Sequence, residues 1–323
     1  MSDQAEPRKT VTHPTPEQVS YDLDQALSAV VSVRSRIPED AMTAPLLGTD
    51  REGHGVLISD EGLVLTIGYL ITEAETVWLI DAHGGLASGH VVAYDQETGF
   101  GLVQALQPLA ATKLELGSSA LLQRGDAVVL AGHGGRKSAV NARVIAKQEF
   151  AGYWEYLLDE AIFTAPAHPN WGGAALIGPD GTLRGIGSLF VQQVSPNKTA
   201  GANMIVPIDL IKPIFNDLQL YGRVNKPPRP WLGMLTTEVG EYLVVADLIN
   251  NSPAQRAGIQ SGDFVLEVNG EPVDELAALF RRVWSLGNAG VQVPLKLYRD
   301  GKTLDILVQS VSRNEYLKTP HIH

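Results

Sequence analysis

His168-Pro169-Asn170-Trp171-Gly172-Gly173-Ala174-Ala175-Leu176 is the stretch on which the reading of this chain turns. It lies inside T-A-P-A-H-P-N-W-G-G-A-A-L-I-G-P-D-G-T-L-R-G-I-G-S, residues 164–188. Two adjacent glycines permit positive φ and close backbone approach, Asp180-Gly181 punctuates as a turn, and an apolar run of strand length follows. No residue from His168 to Leu176 carries a hydroxyl or a thiol, so this loop offers neither group as a nucleophile.

Around it the chain has 323 residues, enough for two or three domains and more than one hydrophobic core. Apolar residues make up 44% and charged residues 19%, the balance of a folded globular chain. The 32 glycines and 19 prolines punctuate short apolar runs, which favours a mainly β architecture. A formal net charge of −11, with no basic run, argues against a nucleic-acid partner. Without cysteine, disulfides, thiolate metal sites and cysteine nucleophiles are excluded. Met1 to Thr15 is polar with no apolar leader core, and no segment reaches eighteen uninterrupted apolar residues. The expectation is therefore a chain without a membrane span, cytoplasmic as written, or periplasmic or envelope-located if a leader is missing.

The stretch at 168–176 resembles the nucleophile loop of HtrA/Deg-type trypsin-like proteases, N-P-G-N-S-G-G-P-L, followed there by a D-G turn and a G-I-N-S-like strand. The serine is missing. Matching the paired glycines puts Trp171 at the nucleophile position; matching the proline puts Gly172 there. In the first register Pro169 also replaces a glycine whose N–H helps bind the oxyanion. Upstream, G-H-G-V-L-I-S-D-E-G-L-V-L-T-I-G-Y-L-I from Gly53 resembles the family's G-S-G-V-I-I…G-Y-V-V-T-N-N-H-V-V, with Tyr69 at the histidine position. A phenol cannot reproduce the two-nitrogen relay of imidazole. Asp95 to Gln104 resembles D-x-x-x-D-I-A-L-I-Q, with Gly99 in place of the second, catalytic aspartate and Asp95 matching the noncatalytic one. His133 and His168, weighed as a metal pair, have no supporting third ligand at a suitable spacing, so no metal and no cofactor is expected.

The resemblance implies a double β-barrel, trypsin-like (chymotrypsin) fold over 19–223, with barrels at about 19–122 and 123–223. Residues 1–18 read as a flexible arm, and the segment from Tyr21 to Val33 as a helical turn leading into a strand. Apolar spacing predicts a helix from Asp209 to Tyr221, stopped by Gly222. The Pro-rich linker V-N-K-P-P-R-P spans 224–230.

Beyond the linker, S-P-A-x-x-A-G-I-x-x-G-D-x-V-x-x-V-N-G from Ser252 to Gly270 resembles the HtrA-type PDZ signature. A PDZ domain is expected over 231–315, with a tail at 316–323. Trp231, Leu232, Gly233 and Met234 match its carboxylate-binding loop, whose backbone N–H groups receive a peptide terminus while the peptide adds a strand to the sheet. Leu279 and Val283 are expected to wall the groove and Arg229 to support the carboxylate through water. The expected function is that of a catalytically inactive scaffold, adaptor or regulator binding C-terminal or extended peptides, with an active homologue as a further partner and a homotrimer as the assembly. The alternative is an HtrA-like endopeptidase with a displaced nucleophile such as Ser188.

Overall fold

The computed structural model describes residues 12–195 and 198–318. Six strands, β1 (Val30–Arg36), β2 (Asp50–Leu57), β3 (Leu63–Ile67), β4 (Thr76–Ile80), β5 (Leu86–Tyr94) and β6 (Phe100–Ala105), close into a first barrel in the order β1-β2-β3-β6-β5-β4. A second closed barrel holds β7 (Ala127–Ala131), β8 (Ala139–Gly152), β9 (Tyr156–Ala165), β10 (Ala175–Ile177), β11 (Leu183–Ser195) and β12 (Lys198–Pro207), in the order β10-β11-β12-β9-β8-β7. The PDZ sheet is built from β13 (Met234–Val239), β14 (Tyr242–Leu248), β15 (Phe264–Val268), β16 (Glu271–Pro272), β17 (Gln292–Arg299) and β18 (Lys302–Gln309). The fold is mainly β, as expected.

The strands follow their side-chain period. In β17 the inward residues Val293, Leu295 and Leu297 alternate with more exposed neighbours, so one face joins the PDZ core. By contrast, β3 is buried at all five positions, so its outward face is covered as well as the face inside the first barrel. The β17–β18 hairpin turns on Asp300-Gly301, both at positive φ, which matches the right-handed strand twist.

Three expectations are corrected. The helix predicted from Asp209 is a 3-10 turn at Ile208–Leu210 followed by an α-helix at Phe215–Tyr221; Pro213 lies between them and cannot continue a helical hydrogen-bond ladder. Gly222 ends that helix at φ +68, as read. Of the arm, residues 1–11 lie outside the described residues, but 12–18 are not free. Asn141 N–H donates to Thr12 O at 2.9 Å, its side-chain amide donates to His13 O and Gln18 Oε1, and the His13 ring bonds to Ala139 O. The described part of the tail is also packed: the Tyr316 ring sits 4.9 Å from Trp231, and its hydroxyl donates to Asn251 O.

The chain after the PDZ sheet returns to the first barrel. Arg313 donates to Tyr94 Oη at 3.0 Å and to Gln96, while Lys318 N–H donates to Glu73 at 2.9 Å. On the linker side Lys226 and Arg229 both pair with Glu97, at 2.7 and 2.8 Å.

Within the PDZ module the fully buried Asp263 carboxylate accepts from Arg299 at 2.5 and 2.6 Å and from Gln260 N–H at 2.9 Å. Removing Asp263 leaves the partly exposed Arg299 guanidinium and the Gln260 N–H without their acceptor. We expect Asp263→Ala to lower the stability of the PDZ module, read as an earlier urea transition for tryptophan fluorescence of the full chain.

Candidate functional site

The barrels meet at the loop that opened the sequence analysis. His54 N–H, on β2, donates to Gly172 O at 2.8 Å, and Thr66 Oγ1 donates to His54 O at 2.6 Å. A Cβ on Gly173 would stand 1.8 Å from His54 O, and Gly173 has φ +79, so only glycine fits there. Tyr69 follows β3 on a short 3-10 turn, and its hydroxyl donates to Ser188 O at 2.8 Å, tying the first barrel to the second. Burial pushes this phenol well above its ordinary pKa. A Cβ on Gly172 would lie 2.7 Å from Tyr69 Oη, and Trp171 packs against Phe190 with ring centroids 5.4 Å apart.

Tyr69, Gly99, Trp171 and Ser188 all line one cavity of about 380 Å³, so the positions singled out along the sequence are neighbours in space. Its remaining walls are mostly apolar and aromatic, among them Ile67, Trp154, Tyr156, Met234 and Leu235. Among the described residues, no histidine ring nitrogen bonds to a serine hydroxyl or a carboxylate. His13 and His133 bond to the backbone carbonyls of Ala139 and Asp81. His168 bonds to Ser138 O and Asn170 N–H, and His54 accepts from His133 N–H. Three of the loop's donors are committed. Asn170 N–H goes to His168 Nδ1, Gly173 N–H to Gly187 O and Ala174 N–H to Trp171 O. In either register the N–H two residues before the nucleophile position is therefore missing, at Pro169, or already used, at Asn170.

Arg51 is a residue that sequence reasoning missed. Buried behind the cleft, its guanidinium donates to Tyr69 O at 2.7 Å, Thr72 O at 3.1 Å, Gly48 O at 3.1 Å and Thr43 Oγ1 at 2.7 Å, so it fixes the backbone that carries Tyr69. Burial pulls its pKa down to about 10, leaving it cationic at neutral pH. An arginine in a run of polar residues carries no signal of this role.

In the PDZ module the stretch Trp231–Met234 forms a loop leading into β13. Gly233 sits at φ +73, and the N–H groups of Leu232, Gly233 and Met234 converge on one point. That point is occupied by the side-chain carboxylate of Glu155, from the turn between β8 and β9, at 3.2, 2.7 and 3.3 Å. Burial pushes the Glu155 carboxyl up to about 7, against the three amides and Arg313, which pull it down. Trp231 does not contribute its donor: Trp231 N–H goes to Val311 O. Leu279 and Val283, on the helix Leu276–Ser285, are buried in the PDZ core and face Leu232, Met234 and Thr236 across a gap of about 10 Å³. Arg229 is engaged elsewhere, stacked 4.4 Å over the Trp284 ring and paired with Glu97.

Comparison with known proteins agrees with this architecture. The model of the trypsin-like peptidase domain matches residues 53–186, and that of the PDZ domain matches residues 230–309. The periplasmic serine endoprotease DegP of Escherichia coli K12 is 26% identical over 280 residues, covering 81% of this chain and 58% of that protein. The periplasmic pH-dependent serine endoprotease DegQ of the same organism is 25% identical over 317 residues, 88% of this chain and 68% of that one. The chain thus spans little more than half the length of DegP. Among solved structures, the HtrA-type protease AlgW with a decapeptide has a TM-score of 0.53 at 19% identity, covering 93% of this chain and 98% of the other. The serine endoprotease from Yersinia pestis has a TM-score of 0.51 at 24% identity, covering 91% and 98%. The curated relatives are named as periplasmic proteases, so the cytoplasmic expectation finds no support; among the described residues no helix is long and apolar enough to cross a membrane.

The junction of the barrels carries a pH signature. Burial, with the nearby His168 and His133 acting in the same direction, pulls the His54 pKa from 6.5 down to about 4. Its Nδ1 accepts a hydrogen bond, which assigns the proton of the neutral ring to Nε2, on the side of the Asn170 backbone. The unfolded chain binds this proton near 6.5 and the folded one only near 4, so the stability is present above 6.5 and lost as pH falls through that window. Glu155, raised to about 7, contributes in the opposite sense over the same window, so the His54 share, on the order of 3 kcal/mol, is read as the difference between the urea-midpoint pH profiles of the wild type and His54→Asn, the wild type losing more toward low pH.

Proposed function

From the premise that this chain is of the HtrA/DegP type, a trypsin-like peptidase domain joined to a PDZ domain, we propose that it is a catalytically silent member of that group. It acts as a peptide-binding scaffold, adaptor or regulator through the PDZ domain. One observation carries the reading: the cleft holds Tyr69, Gly99 and Trp171 or Gly172 at the positions where the resemblance expects histidine, aspartate and serine. Loss of such a triad removes about 10⁶ in turnover, roughly 8 kcal/mol of transition-state stabilisation. The second oxyanion donor, absent at Pro169 or bound to His168 at Asn170, weakens any residual oxyanion binding. The relatives bear protease names, and their activity belongs to them.

The ligands in this reading are C-terminal or extended peptides. An active homologue is a further partner, the assembly is a homotrimer, and the periplasm or cell envelope is the compartment. A second reading rests on Ser188, buried on the cavity wall beside Tyr69, as a displaced nucleophile; its hydroxyl has no histidine or carboxylate partner among the described residues.

Purified protein incubated with casein and a fluorophosphonate probe separates the two. We expect no cleavage and no labelling. Casein cleavage abolished by Ser188→Ala, with the probe found on Ser188, refutes the silent reading.

A further inference from the structure

The turn Tyr153-Trp154-Glu155 lies against the PDZ module in the manner of a bound peptide. Strand addition at such a domain combines a carboxylate held by the loop amides with main-chain hydrogen bonds to the neighbouring strand. Both are present here. The Glu155 carboxylate takes Leu232, Gly233 and Met234 N–H, and two residues upstream Tyr153 O accepts from Thr236 N–H, on β13, at 3.1 Å. The side of the groove walled by Leu279, Phe280 and Val283 is also closed by Glu155, and the gap of about 10 Å³ has no room for a ligand side chain.

The turn is held in this pose from outside the loop as well. Arg281, on the PDZ helix, pairs with Glu149 of β8 and Asp159 of β9, both at 2.5 Å, clamping the hairpin to the helix. Glu155 itself stands at φ +58, a backbone conformation unfavourable for a residue with a Cβ. The carboxylate contacts offset that strain, which glycine at the same place would not incur. Tyr153 is 48% exposed, so its ring does not anchor the tip of the turn, while Ala151 and Leu157 at its base pack against the PDZ core.

We propose that the PDZ carboxylate loop is occupied in cis by Glu155, and that the external ligand is a peptide with a free C-terminal carboxylate and an apolar last residue, which binds by displacing the Tyr153–Glu155 turn. The apolar last residue follows from the walls it would meet: Leu232, Met234, Leu279, Phe280 and Val283. The displacement rests on the peptide-binding reading above; the cis occupancy does not. A site filled by its own chain binds external ligand with an affinity reduced by the fraction of open molecules, so deleting the internal carboxylate strengthens binding.

Amide hydrogen exchange in the full-length protein reads the occupancy without any ligand. In Glu155→Gly, which suits the positive φ, the amides of Leu232, Gly233 and Met234 are expected to exchange about tenfold faster or more than in the wild type, while the Leu176 amide in the second barrel reports an intact fold. Should Glu155→Gly not fold, Glu155→Gln, a weaker acceptor of the same shape, is expected to shift the same amides in the same direction. Unchanged exchange in a folded variant overturns the proposal. Displacement is read with a fluorescein-labelled peptide ending Gly-Tyr-Trp-Val, as free acid and as C-terminal amide. The free acid is expected to bind the variant about tenfold or more tightly than the wild type, and the amide to bind neither. Equal affinity of the free acid for both proteins overturns competition by Glu155. Faster exchange with no peptide binding to either protein keeps the cis occupancy and refutes the peptide-binding reading.

Discussion

The two barrels are joined by a contact between main chains, and the rest of the cleft is arranged around it. His54 N–H reaches Gly172 O, and His54 O lies so close to Gly173 that any side chain there would overlap it. The paired glycines that make this loop recognisable therefore answer a packing requirement that exists whether or not a nucleophile precedes them. With the backbone fixed in this way, the phenol of Tyr69 comes to rest beside Gly172 and bridges to Ser188 O. Arg51 pins the backbone of Tyr69 from behind. The shape of the cleft is thus set by main-chain contacts, made by different atoms from the side chains that line it.

This division explains what was legible in the sequence. Features set by local backbone requirements could be read directly: the Gly222 helix stop and the PDZ signature with its loop at Gly233. The neighbourhood of Tyr69, Gly99 and Trp171 was legible through resemblance, since residues so far apart in the chain become neighbours only once both barrels have closed. Apolar spacing alone extends the helix back to Asp209, but the missing N–H of Pro213 breaks the ladder, and the α-helix begins only at Phe215.

Other residues could not be seen from the sequence, for the same physical reason. Glu155 reads as a polar residue at a hairpin end, and only docking of a separate module gives its carboxylate three amide donors. His54 reads as a strand residue, and its depressed pKa arises from burial between barrels. Arg229, expected near the peptide carboxylate, is drawn instead to the Trp284 ring and Glu97, partners supplied by the PDZ helix and the first barrel. In each case the partner is distant in sequence, and no local pattern announces it.

The return of the tail to the first barrel has a mechanical consequence. A body attached at one point swings in every direction; attached at two, it keeps a single axis of rotation; a third point off that axis stops it. The linker contacts at Glu97, the tail contacts at Gln96 and Glu73, and the Arg281 pairs with Glu149 and Asp159 already supply three such points for the PDZ module without Glu155. Withdrawal of Glu155 alone would therefore leave the module clamped, and the short turn that carries the glutamate, not the whole domain, is the part that gains travel.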